Sequence, residues 1–249
     1  MKLKLKFQLE NSHIPYEYRK AIISFFKDSL SAINDGKYFD VYFSANRRKS
    51  WTFAVGLPKA TFRKDHIELE KNELTITFST ATFSTADELT GYIFYSAFIA
   101  QKEKARKSNK GYPLYRNSMK LISIQKLPDQ TVKTNTALVK MLSPLCLREH
   151  EDQQDTYYSV ASKDFASVSN RILARQLESE SFSEEMSKEV EIIPINAKKT
   201  VVKHYGNYIE VSIGEFLIKG DKAIINYFLQ SGIGSRKSAG FGCLQLISE

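Results

Sequence analysis

One order of local patterns occurs twice along this chain, and that repetition constrains the fold more than any other feature. "KLKLKFQL" near the N-terminus sets Leu3, Leu5, Phe7 and Leu9 on one face of a strand. "IPYEYRKAIISFFKDSLSAI" follows with helical spacing through Ile14, Tyr18, Ile22, Phe25, Phe26 and Leu30, Pro15 being tolerated in the first turn. After a basic loop, "WTFAVGL" predicts a strand, and "HIELEKNELTITFS" predicts strand folding back at Lys71 and Asn72. A second helix is expected from Thr85, with Glu88 completing a capping box, and it runs through Leu89, Ile93, Phe94 and Phe98. "MKLISIQKL" closes the set as a strand. The order is βαββαβ.

The second half repeats this order without obvious identity to the first. "TALVKMLSPLCL" is strand-like with a break at Ser143-Pro144. "SKDFASVSNRILARQL" is helical, with Phe165, Val168, Ile172, Leu173 and Leu177 on one side. A strand-rich stretch turns at Gly206-Asn207, "DKAIINYFLQ" is a short helix, and "FGCLQLI" a last strand. The reading is an α+β protein of two tandem ferredoxin-like (βαββαβ, RRM-like) domains, each an antiparallel sheet with helices on one face. The polar segment "PDQTVKTN" is the expected linker, so the N-terminal domain covers 1–128 and the C-terminal domain 129–249. A single fused sheet is the structural alternative.

Charge narrows the choice of partner. A formal net charge of +8 favours a polyanion, nucleic acid first and an anionic membrane surface second. The alternating N-terminus does not read as a signal peptide, and no stretch reaches the length of a membrane helix. Cys146 and Cys243 fall singly in strand-like runs and read as buried free thiols of a cytoplasmic protein.

"GIGSRKSAGFG", residues 232–242, gathers four of the eleven glycines of the chain around Arg236 and Lys237. Gly232 alone could cap a helix, but Gly234, Gly240 and Gly242 ask for another reason, either positive φ or close approach of the backbone to an anion. Gly232-Ile-Gly234, five residues, then Gly240-Phe-Gly242 matches the G-h-G-x5-G-h-G signature of the RAMP superfamily, basic residues in the interval included. With two βαββαβ units, the chain resembles the CRISPR-associated repeat-cleaving endoribonucleases, the sixth of the numbered Cas families. "SPLCLR" and "GEFLIKGDKAIINYFLQ" add to the resemblance, which is sharp in the last thirty or so residues.

That resemblance implies a metal-independent processor of CRISPR repeat RNA within precursor crRNA, working without a cofactor. Such a protein cuts by attack of the ribose 2′-hydroxyl and leaves a 2′,3′-cyclic phosphate and a 5′-hydroxyl. The chemistry calls for in-line positioning, proton transfer and cations around the phosphate. The resemblance also allows a place in a CRISPR effector complex, and its alternative is a RAMP-type subunit that binds crRNA without cutting. A basic RNA-binding protein of the same fold outside CRISPR is a third class.

The resemblance implies that most members carry a histidine late in or just after the first helix, while some lack it and work with lysines and arginines; this chain has none there. The matching places hold Lys27 and the segment "GKYFDVYFSANRRKSW" with Tyr38, Tyr42, Arg47, Arg48 and Lys49. Lys27, Lys49 and Tyr42 are the expected catalytic positions, with His13 as an alternative base, and Arg47 and Arg48 expected RNA contacts. In the second half, Lys198, Lys199, Lys203 and His204 mix cations with an aromatic hairpin, suited to phosphate contact and base stacking. Gly232, Gly234, Arg236, Lys237, Gly240 and Gly242 are expected to meet the RNA backbone. The basic run from Lys102 to Arg116 is either a solvated face or a further grip on RNA. "EHEDQQD" around His150 lacks a second histidine at ligand spacing, so no metal is expected.

Overall fold

A computed structural model describes residues 1–44, 49–180 and 182–249. They form two compact units, residues 1–50 with 55–128, and residues 51–54 with 129–249. Arg47 and Arg48 lie outside the described residues.

The first unit is built from β1 (Lys2–Leu9), α1 (Tyr18–Ser31), the end of β2 (Trp51–Gly56, whose residues 51–54 count with the second unit), β3 (Glu73–Thr80), α2 (Thr85–Ser108) and β4 (Asn117–Leu127). The strands pair in the order β2-β3-β1-β4, with the short strand Tyr112–Leu114 beyond β4. Both neighbours of β1 run antiparallel to it, with Leu5 opposite Ile76 on β3 and Ile124 on β4. Alternation drives the burial: Leu3, Leu5 and Phe7 are fully buried, while Lys4 between them is exposed. The helices close that face with rings. Phe26 meets Phe78 edge-on at 5.7 Å, and Phe94 lies 4.7 Å from Phe78.

Three sequence expectations shift here. Helix α1 starts at Tyr18, because His13–Ile14 forms a short strand and Pro15 lies ahead of the helix. The cap of α2 is Ser84, whose extended backbone lets its hydroxyl accept from the Asp87 N–H at 3.2 Å; the capping position is one residue earlier than expected. Ile67–Glu68 does not fold back on β3. It pairs with His13–Ile14 and Thr61–Phe62 in a separate three-stranded sheet. Period-two alternation specifies a strand but not its neighbour, and β1 captures β3.

The second unit contains β5 (Thr136–Met141), β6 (Leu147–Glu151), β7 (Gln154–Tyr158), α3 (Phe165–Glu178), β8 (Glu191–His204), β9 (Asn207–Lys219), α4 (Lys222–Ser231) and β10 (Leu244–Ser248). Its main sheet runs β8-β9-β5-β10, the ferredoxin-like order again, and β6-β7 is an inserted hairpin. The chain is therefore two tandem ferredoxin-like domains. The β8-β9 turn is Tyr205-Gly206, one residue before the expected place, and both residues have positive φ, as a tight hairpin requires.

Strand directions decide what gathers where. Since β9 is antiparallel to both β8 and β5, and β10 to β5, three segments share one end of this unit. They are the inserted hairpin after β5, the Tyr205-Gly206 turn, and the glycine-rich loop before β10. By the same reasoning His13 and Lys27 lie toward opposite ends of the first unit. The nine residues from Tyr18 to Lys27 alone climb about 13 Å of helix at 1.5 Å per residue.

Candidate nucleic-acid interface

The glycine-rich loop folds on itself. The Ile233 N–H donates to Gly242 O at 2.9 Å, and the Gly242 N–H to Pro144 O at 2.8 Å. Gln176 of α3 clamps the first limb, accepting from the Gly234 N–H and donating to Gly232 O. Gly234 and Gly242 both have positive φ, and a Cβ would stand 2.7 Å from Cys146 O at the first and 1.9 Å from Ile233 O at the second. At Gly240 a Cβ would strike the Phe53 ring at 2.7 Å, and at Gly232 it would strike Thr52 at 2.8 Å. The protein's own backbone and core thus account for the glycines at these four positions. The loop is a packed platform.

Its two cations part company. Lys237 is buried, with its ammonium near the hydroxyls of Tyr227 (3.4 Å) and Ser231 (3.5 Å). This corrects the expectation that it meets RNA, since a buried ammonium has no reach to a surface phosphate. Arg236, in the left-handed region at φ 56°, turns toward the inserted hairpin. Its guanidinium donates to Asp155 at 2.8 Å and to the Tyr157 hydroxyl at 2.6 Å, with Nη1 3.5 Å from His204 Nε2. Arg148 also donates to Asp155, at 3.0 Å, and His150 Nδ1 lies 2.7 Å from it. Burial pushes the Asp155 carboxyl up, but the His150 and Arg148 hydrogen bonds and the Arg148 charge outweigh it and hold it at about 2. Two guanidiniums therefore share one permanent carboxylate.

His204 is buried, edge-on to Phe241 at 5.2 Å. Lys198 and Lys199 are exposed on β8, with Lys199 paired to Glu210 at 3.0 Å, and the Lys203 ammonium lies 6.0 Å from the Tyr208 ring.

In the first unit, Lys27 and Lys49 come together as expected from neither helix periodicity nor spacing alone. Their ammonium groups lie 5.2 and 5.3 Å from the centroid of one ring, Phe43. Phe43 sits in a single wide turn, Asp40–Ser44, and stacks on Phe39 at 5.9 Å. Burial lowers the pKa of Lys49 below its ordinary 10.5, and the Lys27 charge lowers it further. Tyr42 is engaged elsewhere. Its hydroxyl donates to Thr90 of α2 at 2.8 Å, and burial pushes its pKa up, so it anchors the turn. His13 does not join the lysines; its ring packs against His66 at 4.6 Å, tilted by 50°, and His66 is bonded to Asp65. The basic run from Lys102 starts as the exposed end of α2, where Arg106 pairs with Glu103 and Lys104 with Asp28.

Sequence reading missed Phe43, Asp155, Tyr157 and Arg148. Phe43 is one of several aromatics in its segment, and nothing in the sequence singles it out. Asp155 is one of four acids between Glu149 and Asp155, and only the hairpin register selects it.

Tandem ferredoxin-like units closed by a self-packed G-h-G-x5-G-h-G loop define a RAMP-type protein. Residues 126–246, which cover most of the second unit, match the family "CRISPR associated protein Cas6, C-terminal". Solved structures agree in fold. The product of a Cas6-related gene from Pyrococcus furiosus superposes with a TM-score of 0.79 at 20% identity, covering 100% of this chain and 99% of that one. A CRISPR associated protein Cas6 gives 0.74 at 18% identity with 100% and 99% covered, and a RAMP protein binding different RNA substrates gives 0.77 at 17% with 100% of both. No curated protein matches the sequence. Among the described residues no helix is long and apolar enough to cross a membrane.

Proposed function

We propose that this protein binds CRISPR repeat RNA and cleaves precursor crRNA by attack of a ribose 2′-hydroxyl on the adjacent phosphodiester, without a metal. One of the similar solved proteins binds different RNA substrates and another is a Cas6 product complex, which supports RNA as the partner. The observation that carries cleavage is the pair of ammonium groups gathered on Phe43. A phosphorane builds negative charge on its oxygens, and two cations at one place lower its energy. Lys49, with its depressed pKa, is the better proton donor to the departing 5′-oxygen. Burial keeps that pKa low, and Lys27 lowers it further and adds charge. The loop of the second unit, with Arg236, the exposed Lys198 and Lys199 and the half-buried Lys203, binds the phosphates.

A second reading is a RAMP-type subunit that binds crRNA and does not cut. It is favoured by the histidines: none of the four lies with the lysine pair, since His13 and His66 pack against each other, His150 meets Asp155 and His204 meets Arg236. One assay separates the readings. The protein is incubated with repeat RNA in EDTA, beside RNA carrying a single 2′-deoxy residue upstream of the cut. Cleavage of the first to a 2′,3′-cyclic phosphate and none of the second supports the nuclease. Binding without any cleavage supports the subunit, and a strict demand for Mg²⁺ removes the proposed chemistry.

A further inference from the structure

The end of the second unit holds a cavity of about 490 Å³ between the inserted hairpin, the β8-β9 turn and Arg236. That volume lies in the range of small-ligand sites, about 300–1,000 Å³. Tyr205 and Tyr208 on its rim are 55% and 75% exposed, which is unusual for two large rings at one turn of a protein with a well-filled core. Tyr205 is held in the left-handed region at φ 50° and stands edge-on to His204 at 4.6 Å. His204 in turn stands edge-on to buried Phe241, so the rim is backed by the core and not by solvent. The amides of Gln154 and Asn207 also line the cavity, and among the described residues neither side chain has a hydrogen-bond partner. Each offers a donor and an acceptor to a flat polar edge. The Nε of Arg236 is buried without a hydrogen-bond partner in the protein.

From these observations we infer that this cavity is a receptor for one unpaired RNA base, stacked on Tyr208 and read at its edge by Gln154 and Asn207. Phosphate contacts alone would need neither the exposed rings nor the idle amides. An extruded or single-stranded base uses both. The inference rests on the RNA-binding reading and adds to it a position-specific contact, independent of whether the RNA is cut.

The test is an abasic scan. Repeat RNA with one base removed at each position in turn is titrated against the wild-type protein, Tyr208→Ala and Tyr208→Phe. Stacking of a base on an aromatic side chain corresponds to roughly tenfold in affinity. One position should therefore lose about tenfold with wild type and with Tyr208→Phe, yet lose nothing further with Tyr208→Ala. At that position, Gln154→Ala and Asn207→Ala should flatten the preference among the four bases. Tyr208 is largely exposed, so its truncation leaves the fold intact, which a melting curve checks. Intact RNA binding with equal abasic losses in all three proteins would overturn the base receptor and leave the proposed function standing. Absence of RNA binding by the wild type would remove both.

Discussion

Lys27 and Lys49 hold their ammonium groups at nearly the same distance from one ring, 5.2 and 5.3 Å from the centroid of Phe43. One lysine comes from the later part of a helix and the other from the segment leading into β2, with the wide turn between them supplying the ring. The ring's negative face makes the approach of two like charges tolerable. Burial lowers the pKa of Lys49, and the Lys27 charge lowers it further.

That coupling predicts a pH profile. If protonated Lys49 donates to the leaving oxygen, cleavage falls as pH rises through its pKa, which lies below the ordinary 10.5. Lys27→Ala removes one of the two causes of the depression, so the alkaline limb should move to higher pH while the plateau drops by about 10²-fold. Lys49→Ala should lower the rate by a similar factor and abolish that limb. Single-turnover rates across pH measure both. A limb unmoved by Lys27→Ala contradicts the coupling.

The glycines make a prediction about stability. Gly242→Ala sets a Cβ 1.9 Å from a carbonyl oxygen, whereas Gly206→Ala meets nothing within 4 Å and carries only the cost of positive φ. Thermal melting should show a loss of about 5 °C or more for Gly242→Ala and clearly less for Gly206→Ala. Equal shifts would mean that the loop relaxes and that its glycines are not needed for packing.

Asp155 makes a prediction about salt. Its carboxylate neutralises part of the charge of Arg148 and Arg236, so Asp155→Asn should bind RNA more tightly at low salt. The log–log salt slope should steepen by about 0.7 for one more phosphate neutralised on a single strand. Weaker binding at every salt concentration would show instead that the carboxylate is needed to aim Arg236.

Lys237 and His13 supply the negative expectations. Lys237→Met should leave RNA affinity within about twofold and stability little changed, because replacing a buried charge by an apolar chain of similar length is often neutral. His13→Ala should leave the cleavage rate within about threefold, because a base must lie within hydrogen-bond reach of the proton it takes. A rate collapse on His13→Ala with both lysine variants active would transfer the base to the imidazole.

Local pattern by itself determined the elements and their order. Alternation in "KLKLKFQL" can only bury Leu3, Leu5 and Phe7 together, and the spacing of Phe25, Phe26 and Leu30 can only make one helical face, whatever surrounds them. The spacing of Gly232, Gly234, Gly240 and Gly242 likewise marked a special loop. Tertiary structure alone decided partners. It paired β3 with β1 and not with Ile67–Glu68, a choice that period-two alternation leaves open. It buried Lys237 and turned Arg236 toward the inserted hairpin, although the two are adjacent in sequence. It chose Asp155 among neighbouring acids through the hairpin register, and brought two lysines distant in sequence to the one ring of Phe43. Contacts between residues far apart depend on how the elements pack, and a short window of sequence holds no record of that.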